Sequence, residues 1–212
     1  MTEASVLVVV AHPDDESLGC GGAIAKLARS GAKVRALIMS AGRTKNAGNQ
    51  AIAAAKILGL AEIQINDFTD QQLDNLPLAY LAEPVEAAIA LFQPQIVFTH
   101  SGSDLNQDHR AVFQATAIAC RPVPKSTVES LYSCEIPSSS EWGQQPFAPN
   151  TFYDISEFLE IKQRALDCYV DEMRPFPHPR SQEAVAALAK VRGVSCGVAA
   201  AEAFYLVRRL IK

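Results

Sequence analysis

Five consecutive aliphatic residues, Val6-Leu7-Val8-Val9-Val10, run directly into Ala11-His12-Pro13-Asp14-Asp15-Glu16. An unbroken apolar run of this length, closed by a proline, reads as a strand buried on both faces. Strands of that kind belong to parallel sheets covered by helices, which narrows the chain to an α/β architecture. The residues behind the run carry chemistry. An imidazole and adjacent carboxylates at the exit of a buried strand need a partner, and a metal cation satisfies them together. A second cluster, Asp104-Leu105-Asn106-Gln107-Asp108-His109, stands behind another apolar run, Ile96-Val97-Phe98.

Apolar runs alternate with helical patterns through the first half. Strands are expected over Ser5–Val10, Lys33–Met39, Ile63–Ile65 and Gln95–Thr99. Helices are expected over Gly22–Arg29, Ala51–Leu58, Leu78–Phe92 and Asp108–Cys120, the first two closed by Gly31 and Gly59. After Arg121-Pro122-Val123-Pro124 the rhythm breaks. Val128–Ser133, Phe152–Ile155 and Glu202–Leu210 read as strands, and Ser156 to Tyr169 and Glu183–Arg192 as helices. Pro137–Pro149 reads as a long loop, and the prolines of Arg174–Arg180 forbid a helix there. The expectation is one domain over 1–212, a three-layer α/β/α sandwich with a mostly parallel, Rossmann-like sheet. Residues 1–120 form the Rossmann-like half and 121–212 a C-terminal β/α extension.

In a doubly wound sheet of order 3-2-1-4, strands one and four are neighbours and the order reverses between them. Ligands bind in that crevice, outside the carboxyl ends of the strands. Both polar clusters leave their strands there, so topology alone joins positions nearly a hundred residues apart. Two imidazoles and a carboxylate with an open fourth position are the usual composition of a hydrolytic zinc site. A second carboxylate beside the attacking water serves as general base, and Asp14 and Asp15, pointing different ways, could divide these roles.

Bulk properties bound the partners. With 19 basic and 23 acidic side chains the net charge is −4, and no basic stripe suggests nucleic acid. No apolar run reaches the ~20 residues that span a bilayer, and the start lacks the positive n-region of a signal peptide, so a cytoplasmic location is expected. The five cysteines, Cys20, Cys120, Cys134, Cys168 and Cys196, form no C-x-x-C pair and are expected to be reduced.

The two clusters carry a resemblance. Ala11-His12-Pro13-Asp14-Asp15-Glu16 matches the A-H-P-D-D-E signature, and Asp104-x-Asn106-x-Asp108-His109 the D-x-H/N-x-D-H segment, of the LmbE-like, or PIG-L, family of zinc-dependent N-acetyl-sugar deacetylases. Softer matches are Gly21-Gly22, Ile57-Leu58-Gly59 and Ala201-Glu202-Ala203-Phe204. The resemblance implies that His12, Asp15 and His109 hold Zn²⁺, with Fe²⁺ accepted by the same ligands. It implies Asp14 as general base and a small amino-sugar substrate, and homo-oligomers are common among its members. Asp108 is a candidate for orienting a ligand imidazole. Asn106 stands where some members carry a histidine, and its amide can donate to an oxyanion. Ala47 and Gln50 stand where members often carry an arginine and a glutamate.

Arg43, after the second strand, and His178 with Arg180, in the proline cluster, are the candidate substrate contacts. His100 is a candidate for a structural hydrogen bond or for support of a ligand. Trp142 and Phe147, in the long loop, are candidates either for an aromatic platform under a sugar ring or for buried anchors of the loop. The same residues admit competing readings. Asp14 or Asp15 could simply cap a helix. Paired aspartates after strand one also fit magnesium-dependent phosphoryl transfer, which would leave both histidines without purpose. The Gly19-x-Gly21-Gly22 spacing fails as a dinucleotide fingerprint. A non-catalytic sugar-binding protein with a retained metal site, or hydrolysis of another amide, remains the alternative function.

Overall fold

The computed structural model describes residues 4–143 and 145–211. Strands β1 (Ser5–Val10), β2 (Lys33–Ser40), β3 (Glu62–Phe68), β4 (Ile96–Thr99), β5 (Ser130–Cys134), β6 (Thr151–Asp154) and β7 (Ala201–Arg209) form one seven-stranded sheet in the order β3-β2-β1-β4-β5-β7-β6. The expected 3-2-1-4 order is therefore present. β1 pairs in parallel with β2 and β4, and β4 with β5, while β7 runs antiparallel to both of its neighbours.

The helices are α1 (Asp15–Arg29), α2 (Ala47–Leu58), α3 (Leu78–Phe92), α4 (Gln107–Ala119), α5 (Leu159–Leu166) and α6 (Gln182–Val194). The two-residue alternation of a strand explains why β1 is apolar throughout. Val6, Val8 and Val10 join the core beneath α1, α2, α5 and α6, while Leu7 and Val9 join the core beneath α3 and α4. Each face is covered, so neither tolerates a polar side chain.

One expectation needs correction. α1 begins at Asp15, seven residues before the expected Gly22. The glycines of Gly19-x-Gly21-Gly22 are not helix breakers; they let α1 approach the sheet. A Cβ on Gly19 would lie 2.6 Å from Cys134 Sγ, and one on Gly22 would lie 2.7 Å from Ile155 Cγ2. Ile155 is β-branched and fully buried, so it has little room to yield. Gly22→Ala is expected to destabilise the fold by about 1–3 kcal/mol through overpacking, outweighing the ~1 kcal/mol that alanine gains over glycine in a helix. Urea unfolding checks this, and a variant as stable as the parent would refute the close-approach explanation.

The ends of several other elements shift by a few residues, as helix and strand termini do. β3 is longer than expected, and α5 begins at Leu159 rather than Ser156. The described residues of the 137–149 segment, all but 144, are irregular apart from a 3-10 turn at Ser140–Trp142. Among the described residues no helix is long and apolar enough to cross a membrane.

Candidate active site

The carboxyl ends of β1 and β4 deliver both clusters to one place. Ala11, just past β1, donates its N–H to Nε2 of His100, just past β4, at 2.8 Å. Asp15, the first residue of α1, then folds its carboxylate back, and Oδ2 accepts the His12 N–H at 2.9 Å. On the β4 side, Asn106 caps α4, its Oδ1 accepting the Asp108 N–H at 2.9 Å. That cap sets the first turn of α4, which carries Asp108 and His109 inward.

Three donor atoms meet there. His12 Nδ1 lies 3.2 Å from Asp15 Oδ2, His109 Nε2 lies 3.4 Å from the same oxygen, and the two nitrogens are 3.3 Å apart. Bonds of about 2.0–2.1 Å to a tetrahedral ion put its ligand corners about 3.3–3.4 Å apart, so the triangle has the size of one tetrahedral face. All three residues are buried, and Asp15 Oδ1 has no hydrogen-bond partner among the described residues. The far side of each ring meets a carboxylate. His12 Nε2 is hydrogen-bonded to Asp108 Oδ2 at 3.0 Å, and His109 Nδ1 lies at ion-pair distance, 3.2 Å, from Asp104 Oδ1, outside hydrogen-bond alignment. Carboxylate–imidazole pairs of this kind fix the orientation of a metal-binding ring.

Both outer carboxylates are themselves held. Asp108 accepts the N–H of Gln71 at 2.7 Å and of Leu73 at 3.0 Å, which wraps the loop after β3 around it. Asp104 accepts the hydroxyls of Ser139 and Ser140 and the N–H of Asn106. Asp108 thus orients His12, not the His109 beside it in sequence. A second grouping, His12 with Asp70 and Asp108, shares the His12 ring. It is looser, with Asp70 Oδ1 3.8 Å from Nε2, and the oxygens of Asp108 already accept backbone N–H groups. The first triangle is the better cradle.

The electrostatics separate the two adjacent aspartates. Burial pushes the Asp14 carboxyl well above its ordinary pKa, and the Arg180 guanidinium only partly opposes this. Burial acts on Asp15 in the same direction, but the neighbouring imidazoles outweigh it and hold its pKa well below the ordinary value. Burial lowers the pKa of both rings, yet carboxylates prevail. Asp108 and Asp15 raise His12 to about 10, and Asp15 and Asp104 raise His109 to about 9.

Those raised values stabilise the metal-free fold. The contribution is fully present below the ordinary pKa of 6.5 and disappears as pH rises through about 9 to about 10. The metal-free protein should therefore lose melting temperature between about pH 6.5 and pH 10. Loading with Zn²⁺, which takes the place of the protons, should flatten that loss. Identical pH profiles with and without Zn²⁺ would contradict it.

His100 is the neutral member, with burial and then the His109 charge lowering its pKa to about 3. Its ring stacks on His109, centroids 3.9 Å apart and 7° from parallel. It therefore both bonds to the backbone and supports a neighbouring ring.

A cleft of about 250 Å³ opens in front of the cluster, and Asp14, Arg43, Asn106, His178 and Arg180 all line it. Arg43 lies at its rim, two-thirds exposed, with Nε 3.4 Å from Asp70 Oδ1. His178 Nδ1 accepts the Arg180 N–H at 3.1 Å. Arg180, expected to face substrate, also bonds Asp14 Oδ2 through Nη1 at 2.6 Å. Ala47 lines the cleft, while Gln50 is buried and donates to Asp171 Oδ2 at 2.9 Å.

Of the two readings for Trp142 and Phe147, the platform finds no support, because neither lines the cleft. Trp142 is exposed and Phe147 lines two other cavities. In the same loop the hydroxyls of Ser139 and Ser140 donate to Asp104. The sequence reading missed Asp70, Gln71 and Glu172. The signal for Asp70 was available, because Thr69-Asp70-Gln71 follows β3 at the same sheet edge that Arg43 follows β2.

A mostly parallel sheet with a His/Asp triangle at the reversal of its strand order defines a class of α/β proteins with donor groups of metal-ligand spacing at the strand ends. Within that class the chain belongs to the PIG-L family, described as GlcNAc-PI de-N-acetylase, whose match covers residues 7–120. It is 32% identical over 172 residues to the uncharacterized deacetylase YaiS of Escherichia coli, covering 76% of this chain and 88% of that one. It is 26% identical over 186 residues to a probable N-acetyl-α-D-glucosaminyl L-malate deacetylase 2 of Bacillus cereus, covering 79% and 83%. A conserved protein of Thermus thermophilus has the same fold, with a TM-score of 0.80 and 26% identity over 98% of this chain and 96% of that one. The family and these curated relatives are deacetylases, that is, hydrolases.

Proposed function

We propose that the protein removes the N-acetyl group from an N-acetylglucosamine-like amino sugar or its conjugate, using a bound divalent cation. The observation that carries this reading is the pairing of a tetrahedral-sized donor triangle with an adjacent carboxylate, Asp14, which is turned into the cleft and has the opposite electrostatic character to Asp15. His12, Asp15 and His109 would hold Zn²⁺ or Fe²⁺, which supplies Lewis acidity and acidifies water.

The remaining steps belong to the chain. Asp14, ionised, takes a proton from the attacking water and returns it to the departing amine. Asn106 has its Oδ1 engaged in the helix cap, which leaves the NH₂ to donate to the oxyanion. Asp108 and Asp104 keep the two imidazoles in register. Arg43 and His178 line the route by which a sugar conjugate enters. The relatives' printed names support the amino-sugar class.

Asp104→Asn is expected to weaken cation affinity about 10–100-fold, the usual effect of removing a carboxylate behind a ligand imidazole. Competition against a chelating dye measures it, and an unchanged affinity would exclude that support role. The functional reading is tested by chelation and reconstitution. Acetate release from N-acetylglucosaminides should cease in stripped protein and return with Zn²⁺; release that survives complete removal of metal would sink it.

A further inference from the structure

Asp14 occupies the N-cap of α1, where an aspartate ordinarily turns its carboxylate back to accept an N–H of the first turn. Here it makes no such bond, and its backbone lies in the left-handed region at φ 108°. A non-glycine residue persists there only where its surroundings over-determine it. From behind, Glu16 Oε2 accepts the Asp14 N–H at 3.2 Å, and Glu16 is itself held by the Tyr169 hydroxyl at 2.6 Å and the Ser17 hydroxyl at 2.5 Å. In front stands Arg180. Its Nη1 bonds Asp14 Oδ2 at 2.6 Å and lies 3.3 Å from Glu172 Oε2, while its Nε donates to Ser138 Oγ at 2.7 Å. Ser181 next to it caps α6, its Oγ accepting the Ala184 N–H at 3.0 Å, which anchors the segment.

We propose that Arg180 is the positioning residue for Asp14, drawing its carboxylate off the helix terminus and holding it in the cleft for proton transfer. The competing forces are visible. The helix N-terminus attracts a carboxylate, and a charge-assisted bond to a guanidinium, braced on two further sides, wins. Glu172 and Ser138 aim the arginine, so the segment before α6 and the loop after β5 together set the orientation of a residue at the start of α1. The inference rests on the base role of Asp14 proposed above, but its structural half stands without it.

Three readouts on Arg180→Ala and Arg180→Lys test the proposal. The alanine variant should lose about 10²-fold in kcat, the scale of misplacing a reacting group by about 1 Å, with KM and bound cation near those of the parent. Added guanidinium should restore part of kcat, and lysine should do so partially without it. A crystal structure of Arg180→Ala should show the Asp14 carboxylate turned toward the N–H groups of the first turn of α1. A raised KM at unchanged kcat would overturn the proposal and return Arg180 to substrate binding. Asp14 unmoved in the variant crystal would overturn it too. If the parent hydrolyses no acetamide at all, the functional reading fails by itself, and the position of Asp14 in the crystal still decides this one. Should alanine not fold, the lysine variant carries the kinetic test.

Discussion

The Asp14→Asn protein is expected to keep its fold and its cation while turnover falls about 10²–10⁴-fold, the usual loss when a positioned base is removed. Asparagine preserves shape and can still meet Arg180, but it cannot accept a proton at neutral pH. The parent should also show an acid limb in kcat/KM. Asp14 must be ionised to act, and burial lifts its pKa well above the ordinary carboxylate value. The rate should therefore rise with pH as Asp14 ionises, with the charge of the bound cation opposing the effect of burial, and that limb should vanish from the residual activity of the variant. Initial rates across pH, with bound metal measured on the same samples, check both parts. Parent-like turnover in Asp14→Asn would remove the base from the mechanism.

The largest stability effect is expected at a buried pair that does not line the cleft. Lys162, on α5, and Glu202, on β7, form a buried ion pair at 2.6 Å with about 5% of each side chain exposed. The pair is built into α1. Lys162 Nζ also donates to the Leu18 carbonyl at 2.7 Å, while Glu202 accepts the Gly22 N–H at 2.9 Å and the Ala23 N–H at 2.7 Å. Removing one partner strands a charge and leaves helix groups without their bond. Glu202→Ala should therefore cost about 3–5 kcal/mol, a large share of the ~5–15 kcal/mol that holds a domain together. Replacing both residues should cost less than the sum of the single changes, because the stranded charge disappears. Urea unfolding of the two single variants and the double variant measures this. Single losses below about 1 kcal/mol would show that water reaches the pair.

How much of this was legible in the sequence follows from the range of each interaction. β1, β2 and β4 announce themselves, because burial on both faces demands unbroken apolar runs. Strand order then brings His12, Asp15 and His109 to one edge without any knowledge of side-chain contacts. The start of α1 was hidden because glycines that serve a close approach to Cys134 and Ile155 look locally like a helix boundary. The link from Arg180 to Asp14 spans 166 positions and depends on how an irregular, proline-bearing segment folds back, which no local periodicity encodes. Asp104 stood in the quoted cluster, yet its place behind His109 depends on the serines of a loop 35 positions away. The roles of Trp142 and Phe147 stayed open in the sequence for the same reason, since loop direction is set by tertiary contacts.

The most direct test of the account compares two neighbouring carboxylates. Asp14→Asn and Asp15→Asn are loaded with Zn²⁺, and bound metal and free-amine release from N-acetylglucosamine-type compounds are measured on the same preparations. The account predicts that Asp14→Asn binds the cation but releases little amine, and that Asp15→Asn loses both, because only Asp15 belongs to the donor triangle. Full metal binding in Asp15→Asn, or amine release at the parent rate from Asp14→Asn, would contradict the division of ligand and base between them.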